Sequence, residues 1–219
     1  IPEKKIASWK RYALDSGDAF IRPQNGKAAT PKGILSFIKD AYGMPYVPGS
    51  SLKGMIRTAL LAAEIEWDKR RYDGCLQAVS DGARRGGKRN TYLKKETDGL
   101  EAEVFHRLSR NEKSKGNAVN SILSGLIVSD SQPISTDKLT LSQKIDYSLD
   151  GKEKPLPILR EALVPGTEIL FDVTIDSNVC PYTIEDILEA LDYFQQVSYR
   201  TFYSRFRRGS DMPGTVWLG

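Results

Sequence analysis

The stretch Tyr46-Val47-Pro48-Gly49-Ser50-Ser51-Leu52-Lys53-Gly54-Met55-Ile56-Arg57 is an extended lead-in that turns at Gly49-Ser50-Ser51 and runs directly into a helix. Beyond Leu52 the apolar residues Met55, Ile56, Ala59, Leu60 and Ala63 recur at the spacing that makes one continuous stripe. A helix start leaves backbone N–H groups without intrahelical partners, and its dipole favours negative charge there. Lys53 and Arg57 are four residues apart, so both lie on one flank of the stripe. Gly49, Ser50, Ser51, Lys53 and Arg57 are therefore a candidate phosphate-binding set. The alternative is an ordinary serine cap beside two solvated bases. A nucleotide P-loop is excluded by order: Lys53 precedes Gly54, and no Ser or Thr follows directly. No cofactor is expected.

On the N-terminal side, Thr30-Pro31 reads as a cap followed by proline at the first helical position. Ile34, Leu35 and Ile38 then supply a helical face that Gly43 ends. On the C-terminal side, residues 66–119 are polar, basic and glycine-spotted, with short helical hints at 73–79 and 101–108; they read as an insertion with mobile parts. Residues 122–129 form a strand candidate, and 139–147 an extended arm. Residues 156–163 and 168–176 read as a hairpin about Pro165-Gly166, a pair suited to the centre of a type II turn. Thr183 with Asp186 makes a capping box opening a second helix, with Ile184, Ile187, Leu188, Leu191 and Phe194 on its apolar face. Residues 215–218 are a final extended piece. With a strand supplied ahead of Ile1, this is the βαββαβ order of a ferredoxin-like α+β domain. The expected division is 1–50 as the end of an N-terminal region and 51–219 as the domain, with its insertion at about 66–118.

With 40% hydrophobic and 27% charged residues among 219, the chain can bury a sizeable core. Its net charge of +4 permits an anionic partner without requiring one. Two dense basic runs stand out: Arg84, Arg85, Lys88 and Arg89, and then Arg200, Arg205, Arg207 and Arg208. Either is a candidate nucleic-acid contact or simply a solvated face. Cys75 and Cys180 have no metal-ligand or disulfide spacing, which fits a reducing cytoplasm. No apolar run reaches the roughly 18 residues of a membrane span, and no signal peptide is visible, so no membrane partner is expected. Opening at Ile1 and stopping at Gly219, the chain reads as a fragment of a longer one. The single histidine, His106, sits in the basic insertion without a second acid–base partner and reads as structural or solvent-facing. Asp130 reads as a turn former after a strand. Tyr199, Phe202, Tyr203 and Phe206 interleave with arginines; they could stack on bases, but at helical spacing the preferred reading is core packing.

Residues 46–57 resemble the signature helix of the RAMP superfamily of CRISPR RNA-binding proteins. Three further stretches resemble the fifth subunits of type III-A Csm complexes: Trp9 to Asp18, Ile127-Val128-Ser129-Asp130-Ser131-Gln132-Pro133-Ile134, and Leu156 to Thr167. Gln143-Lys144-Ile145-Asp146 lies between them, and the likeness touches most of the chain outside 66–118. The resemblance implies RRM-like, ferredoxin-type architecture and a non-catalytic subunit capping the 3′ end of CRISPR RNA and supporting its maturation. The implied partners are CRISPR RNA, neighbouring RAMP subunits and host nucleases acting during maturation. A RAMP-type endoribonuclease that processes repeat RNA is the alternative.

Overall fold

A computed structural model describes residues 2–16, 23–24, 27–28, 33–206 and 212–216. Over these the chain forms α1 (Glu3–Trp9), β1 (Pro23–Gln24), β2 (Lys27–Ala28), β3 (Gly33–Leu35), α2 (Gly49–Trp67), α3 (Asp73–Arg85) and α4 (Lys94–Phe105). There follow β4 (Leu126–Val128), β5 (Leu139–Tyr147), β6 (Glu153–Leu163), β7 (Val173–Ile175) and α5 (Ile184–Thr201). They divide into two compact units. One takes residues 1–48, 130–171 and 205–209, and the other 49–129, 172–204 and 210–219.

The second unit is organised by α2. Met55, Ile56, Ala59, Leu60 and Ala63 are buried, as the periodicity predicts. They join one cluster with Leu126, Ile187 and Ala190, and with Tyr72, Leu100, Val104 and Phe105 from the insertion. Strands β4 and β7 pair antiparallel, Leu126 opposite Ile175 and Val128 opposite Val173. Thr183 caps α5 with both halves of the predicted capping box in place. The face of α5 is rotated from expectation: Ile187 and Ala190 are buried, whereas Ile184 and Leu188 are exposed. The hints in the insertion extend into two full helices, and the segment carries a share of the core. Its apolar residues are divided among a 3₁₀ turn and α4, so no one window shows a stripe.

A carboxylate ties these pieces together. Glu64, on α2, accepts hydrogen bonds from Tyr182 Oη at 2.7 Å, Tyr72 Oη at 3.0 Å and Arg107 Nη2 at 3.1 Å. Burial, reinforced by the Glu64 charge, pushes both tyrosine hydroxyls upward from their ordinary pKa, so they remain donors.

The first unit holds a mixed sheet in the order β3-β6-β5. Two expectations are corrected here. The helix expected from Ile34, Leu35 and Ile38 is replaced by β3, which pairs parallel to β6 with Ile34 opposite Leu159. All three side chains are exposed, so the spacing that fits a helical face buries nothing. Thr30 and Pro31 lie outside the described residues. The hairpin also fails, although its turn forms: Thr167 N–H donates to the Val164 carbonyl at 3.1 Å and Gly166 has φ +84°. Strand β6 is central, with one edge taken by β3 and the other by β5 from Leu139 opposite Leu163 to Tyr147 opposite Glu153. No edge remains for residues 168–176, and β7 pairs with β4 instead. The expected arm is thus a paired strand. The first half of the 122–129 strand candidate is a 3₁₀ turn (Ile122–Gly125). Residues 215–216 lie outside any strand, and 217–218 outside the described residues. The architecture is α+β, a mixed open sheet with helical insertions, consistent with the ferredoxin-like reading. Among the described residues no helix is long and apolar enough to cross a membrane.

Glu161, inside β6, is the polar anchor of this unit. It accepts from Lys39 Nζ, from Tyr12 Oη at 2.5 Å and from the Phe37 N–H at 2.8 Å. Lys39 also lies 4.9 Å from the Tyr12 ring centroid. Burial opposes ionisation of both groups. The hydrogen bonds outweigh it, holding the carboxyl below its ordinary value and the ammonium above. The stability from Glu161 is therefore fully present above about pH 4.3 and lost as pH falls through its folded pKa; that from Lys39 is lost only as pH rises past about 10.4. Glu161→Gln should cost about 3–5 kcal/mol at neutral pH and flatten the acid limb of stability. Urea midpoints measured from pH 3 to 7 check this; wild type and variant falling in parallel would contradict it.

Candidate functional site

Helix α2 begins at Gly49, so Ser50 and Ser51 occupy its first turn. A Cβ on Gly49 would lie 2.5 Å from the Val128 oxygen and closer still to the Ser129 carbonyl. The helix start is thus pressed onto the backbone at the end of β4, and only glycine allows that approach. This contact was not legible in the sequence, where Gly49 reads merely as a turn residue.

The flank of α2 predicted from Lys53 and Arg57 does face a groove. Ser50, Lys53, Gly54 and Arg57 form one wall, and Ser121, Leu123 and Ser124 belong to the other, around a volume of about 450 Å³. Lys53 Nζ donates to the Leu126 carbonyl at 2.6 Å. Burial pushes its ammonium below the ordinary lysine value, and this bond is to a neutral oxygen. An anion in the groove would restore solvation that the ammonium has lost. Arg57 is half exposed and only loosely paired, 3.6 Å from Glu101 Oε2. Arg110 Nη1 donates to Ser124 Oγ at 3.3 Å, bringing a third cation to the rim.

The second wall is held by Asn120, which is buried. Its side chain accepts from the Asn111 N–H at 2.8 Å and donates to the carbonyls of Asn111 and Ser114 at 3.0 Å each. Sequence reasoning missed Arg110, Asn120, Ser121 and Ser124, because a polar stretch carries no periodic signal. Three cations and several hydroxyls around an open groove suit a phosphate-bearing ligand.

The other candidates lie apart from this groove. Arg84 and Arg85 close α3 and pair with Asp81 at 3.7 Å and Glu96 at 3.1 Å, while Lys88 and Arg89 follow on an exposed turn. Arg207 and Arg208 lie outside the described residues. His106 Nδ1 sits 3.2 Å from the Lys115 carbonyl oxygen, a bond that needs the proton on that nitrogen. Among the described residues no three His, Cys, Asp or Glu side chains gather into a metal site. The core reading of the aromatics around the end of α5 is corrected in part. Phe202 is 56% exposed and stacks edge-on against Tyr203, with ring centroids 5.2 Å apart. Tyr203 lines a second cleft with Phe194, Ser198, Met55 and Thr58.

Residues 18–207 match the family model described as the RAMP superfamily. The chain is 34% identical over 178 residues to the "CRISPR system Cms protein Csm5" of Streptococcus thermophilus, covering 78% of this chain and 42% of that protein. It is 31% identical over 152 residues to the protein of the same name from Mycobacterium tuberculosis (strain CDC 1551 / Oshkosh), covering 69% and 38%. The crystal structure of T. onnurineus Csm5 is similar with a TM-score of 0.57 at 25% identity, over 78% of this chain and 55% of that one. The chain thus spans about two fifths of the length of these curated relatives.

Gly49→Ala tests the close approach at the start of α2. It should destabilise the protein by about 1–3 kcal/mol or more through overpacking, despite alanine's better helix propensity. Ser51→Ala, at the next turn position but one, should move stability by less than about 1 kcal/mol. Chemical denaturation of the two variants checks the difference; equal effects would remove the packing explanation for Gly49.

Proposed function

The chain belongs to the RAMP superfamily and is homologous to Csm5, and on that premise we propose that it is part of a CRISPR RNA-binding subunit of a type III-A ribonucleoprotein. In this reading it caps the 3′ end of the RNA and supports its maturation without cleaving it. The observation that carries the proposal is the groove beside α2, where Lys53, Arg57 and Arg110 converge with Ser50, Ser121 and Ser124. Gly49, first among the predicted contacts, sets the helix start and acts through position. Ser50 at the helix start, the partly desolvated Lys53 ammonium and the loosely held Arg57 then face a phosphate together, whereas Ser51 lines the cleft across the helix. The exposed run Arg84, Arg85, Lys88 and Arg89 is a secondary RNA contact. Neighbouring RAMP subunits are the protein partners, host nucleases join during maturation, and the setting is the cytoplasm.

Phosphates carry no base identity, so Lys53→Ala and Arg57→Ala should weaken binding about equally for all RNA sequences. Each should lower the slope of log affinity against log salt by roughly 0.7. Glu101→Gln, which frees Arg57 from its ion pair, should tighten binding modestly. Lys53→Ala also removes the bond to the Leu126 carbonyl and should cost about 1 kcal/mol of stability. Titrations of the full-length protein with single-stranded RNA at several salt concentrations measure these effects; unchanged affinity and slope in both cation variants would refute the groove as the RNA site. The non-catalytic role has its own check. His106→Ala should leave repeat-RNA cleavage in a purified preparation unchanged, and loss of specific cleavage would favour the endoribonuclease reading.

A further inference from the structure

Ser50, Gly54 and Thr58 follow one another at four-residue steps along α2, making a ridge between two depressions. On one side lies the cation-lined groove. On the other lies a cleft of about 400 Å³ whose lining includes Met55, Thr58, Phe194, Ser198 and Tyr203. Gly54 borders both. Its presence is not explained by the fold. A Cβ there would meet no atom within 4 Å, and its φ is not among the positive ones. In a helix interior glycine is the poorest choice after proline. A ridge position without a side chain does, however, leave a low saddle where a ligand backbone can cross the helix.

The two depressions differ in chemistry in the way the two ends of a nucleotide differ. The groove offers Lys53, Arg57 and hydroxyls to a phosphate. The cleft offers aromatic rings and a thioether, with the Thr58 and Ser198 hydroxyls at its margin, to a flat heteroaromatic ring. We propose that the cleft at Met55, Phe194 and Tyr203 receives an unpaired RNA base whose phosphate lies at Lys53 and Arg57, the strand crossing α2 at Gly54. This inference rests on the RNA-binding reading of the groove. A peptide is the less fitting occupant, because the positive charge lies across a saddle one residue wide.

The test uses the full-length protein and labelled single-stranded RNA, with affinity read by anisotropy at several salt concentrations. Gly54→Ala and Gly54→Leu should raise the melting temperature by roughly 2–4 °C, since both residues are better helix formers in open space. Both should nevertheless weaken RNA binding, leucine more than alanine, with an unchanged salt slope. Tyr203→Ala should lower affinity by about 5–150-fold, again without altering the slope, because stacking releases no counterions. Tyr203→Phe keeps the ring and should bind nearly as wild type, which separates stacking from any loss of fold. Wild-type affinity in both Gly54→Leu and Tyr203→Ala, with Lys53→Ala still weakening binding, would overturn the base cleft and leave the groove standing. Wild-type affinity in Lys53→Ala and Arg57→Ala as well would overturn both.

Discussion

Helix α2 is fixed on two sides at once, and the helical unit takes its geometry from that constraint. Ala59, Leu60 and Ala63 have no exposed surface, so the stripe is covered along its length by α5, β4 and the insertion. The alanines let neighbouring backbones come close, and Leu60 fills the space between them. Truncating such a leucine typically costs about 2–5 kcal/mol because the surroundings collapse only partly. At the helix start, the backbone of Gly49 meets the carbonyls of Val128 and Ser129. A helix held both along its stripe and at its first turn cannot rotate, so the flank bearing Ser50, Lys53, Gly54 and Arg57 is presented in one orientation.

Each unit also contains a carboxylate, buried in the case of Glu161 and half-buried in that of Glu64, that gathers donors from distant parts of the chain. Glu64 collects Tyr72, Arg107 and Tyr182, and Glu161 collects Tyr12, Phe37 and Lys39. Such hubs contribute less net stability than their bond count implies, since burial of charge offsets much of the gain. Their larger effect is on register. An alternative packing that moved one donor would leave a charge buried and unpaired. Glu64 thereby joins the insertion to α2, and the Asn120 side chain ties the end of the insertion to the second wall of the groove, which follows it in the chain.

The groove's cations are held by weak partners. Lys53 donates to a neutral carbonyl, Arg57 meets a partly exposed carboxylate at long range, and Arg110 meets a hydroxyl. By contrast, Lys39 and Arg107 are committed to Glu161 and Glu64. Cations satisfied by carboxylates serve the fold, whereas those left on neutral or distant partners keep most of their attraction for an incoming anion.

What the sequence by itself determined is local and periodic: the burial of α2, the capping box of α5, the Val164–Thr167 turn and the shared flank of Lys53 and Arg57. These follow from spacing along the chain, which fixes which residues share a helix face or close a turn. The RAMP resemblance, carried by residues 46–57, was likewise legible. Tertiary structure alone decided which strand edges are filled. Ile34, Leu35 and Ile38 fit a helical face, yet β6 offers a backbone edge and the segment pairs there. Residues 168–176 alternate as a strand should, yet both edges of β6 are occupied and β7 goes to β4. It also decided that Gly49 is a packing contact, that Asn120 braces a wall, and that Gly54 separates two clefts. The Gly49 contact depends on atoms far away in sequence and the other two on how irregular or distant segments fold around them, and no spacing rule along the chain encodes such neighbours.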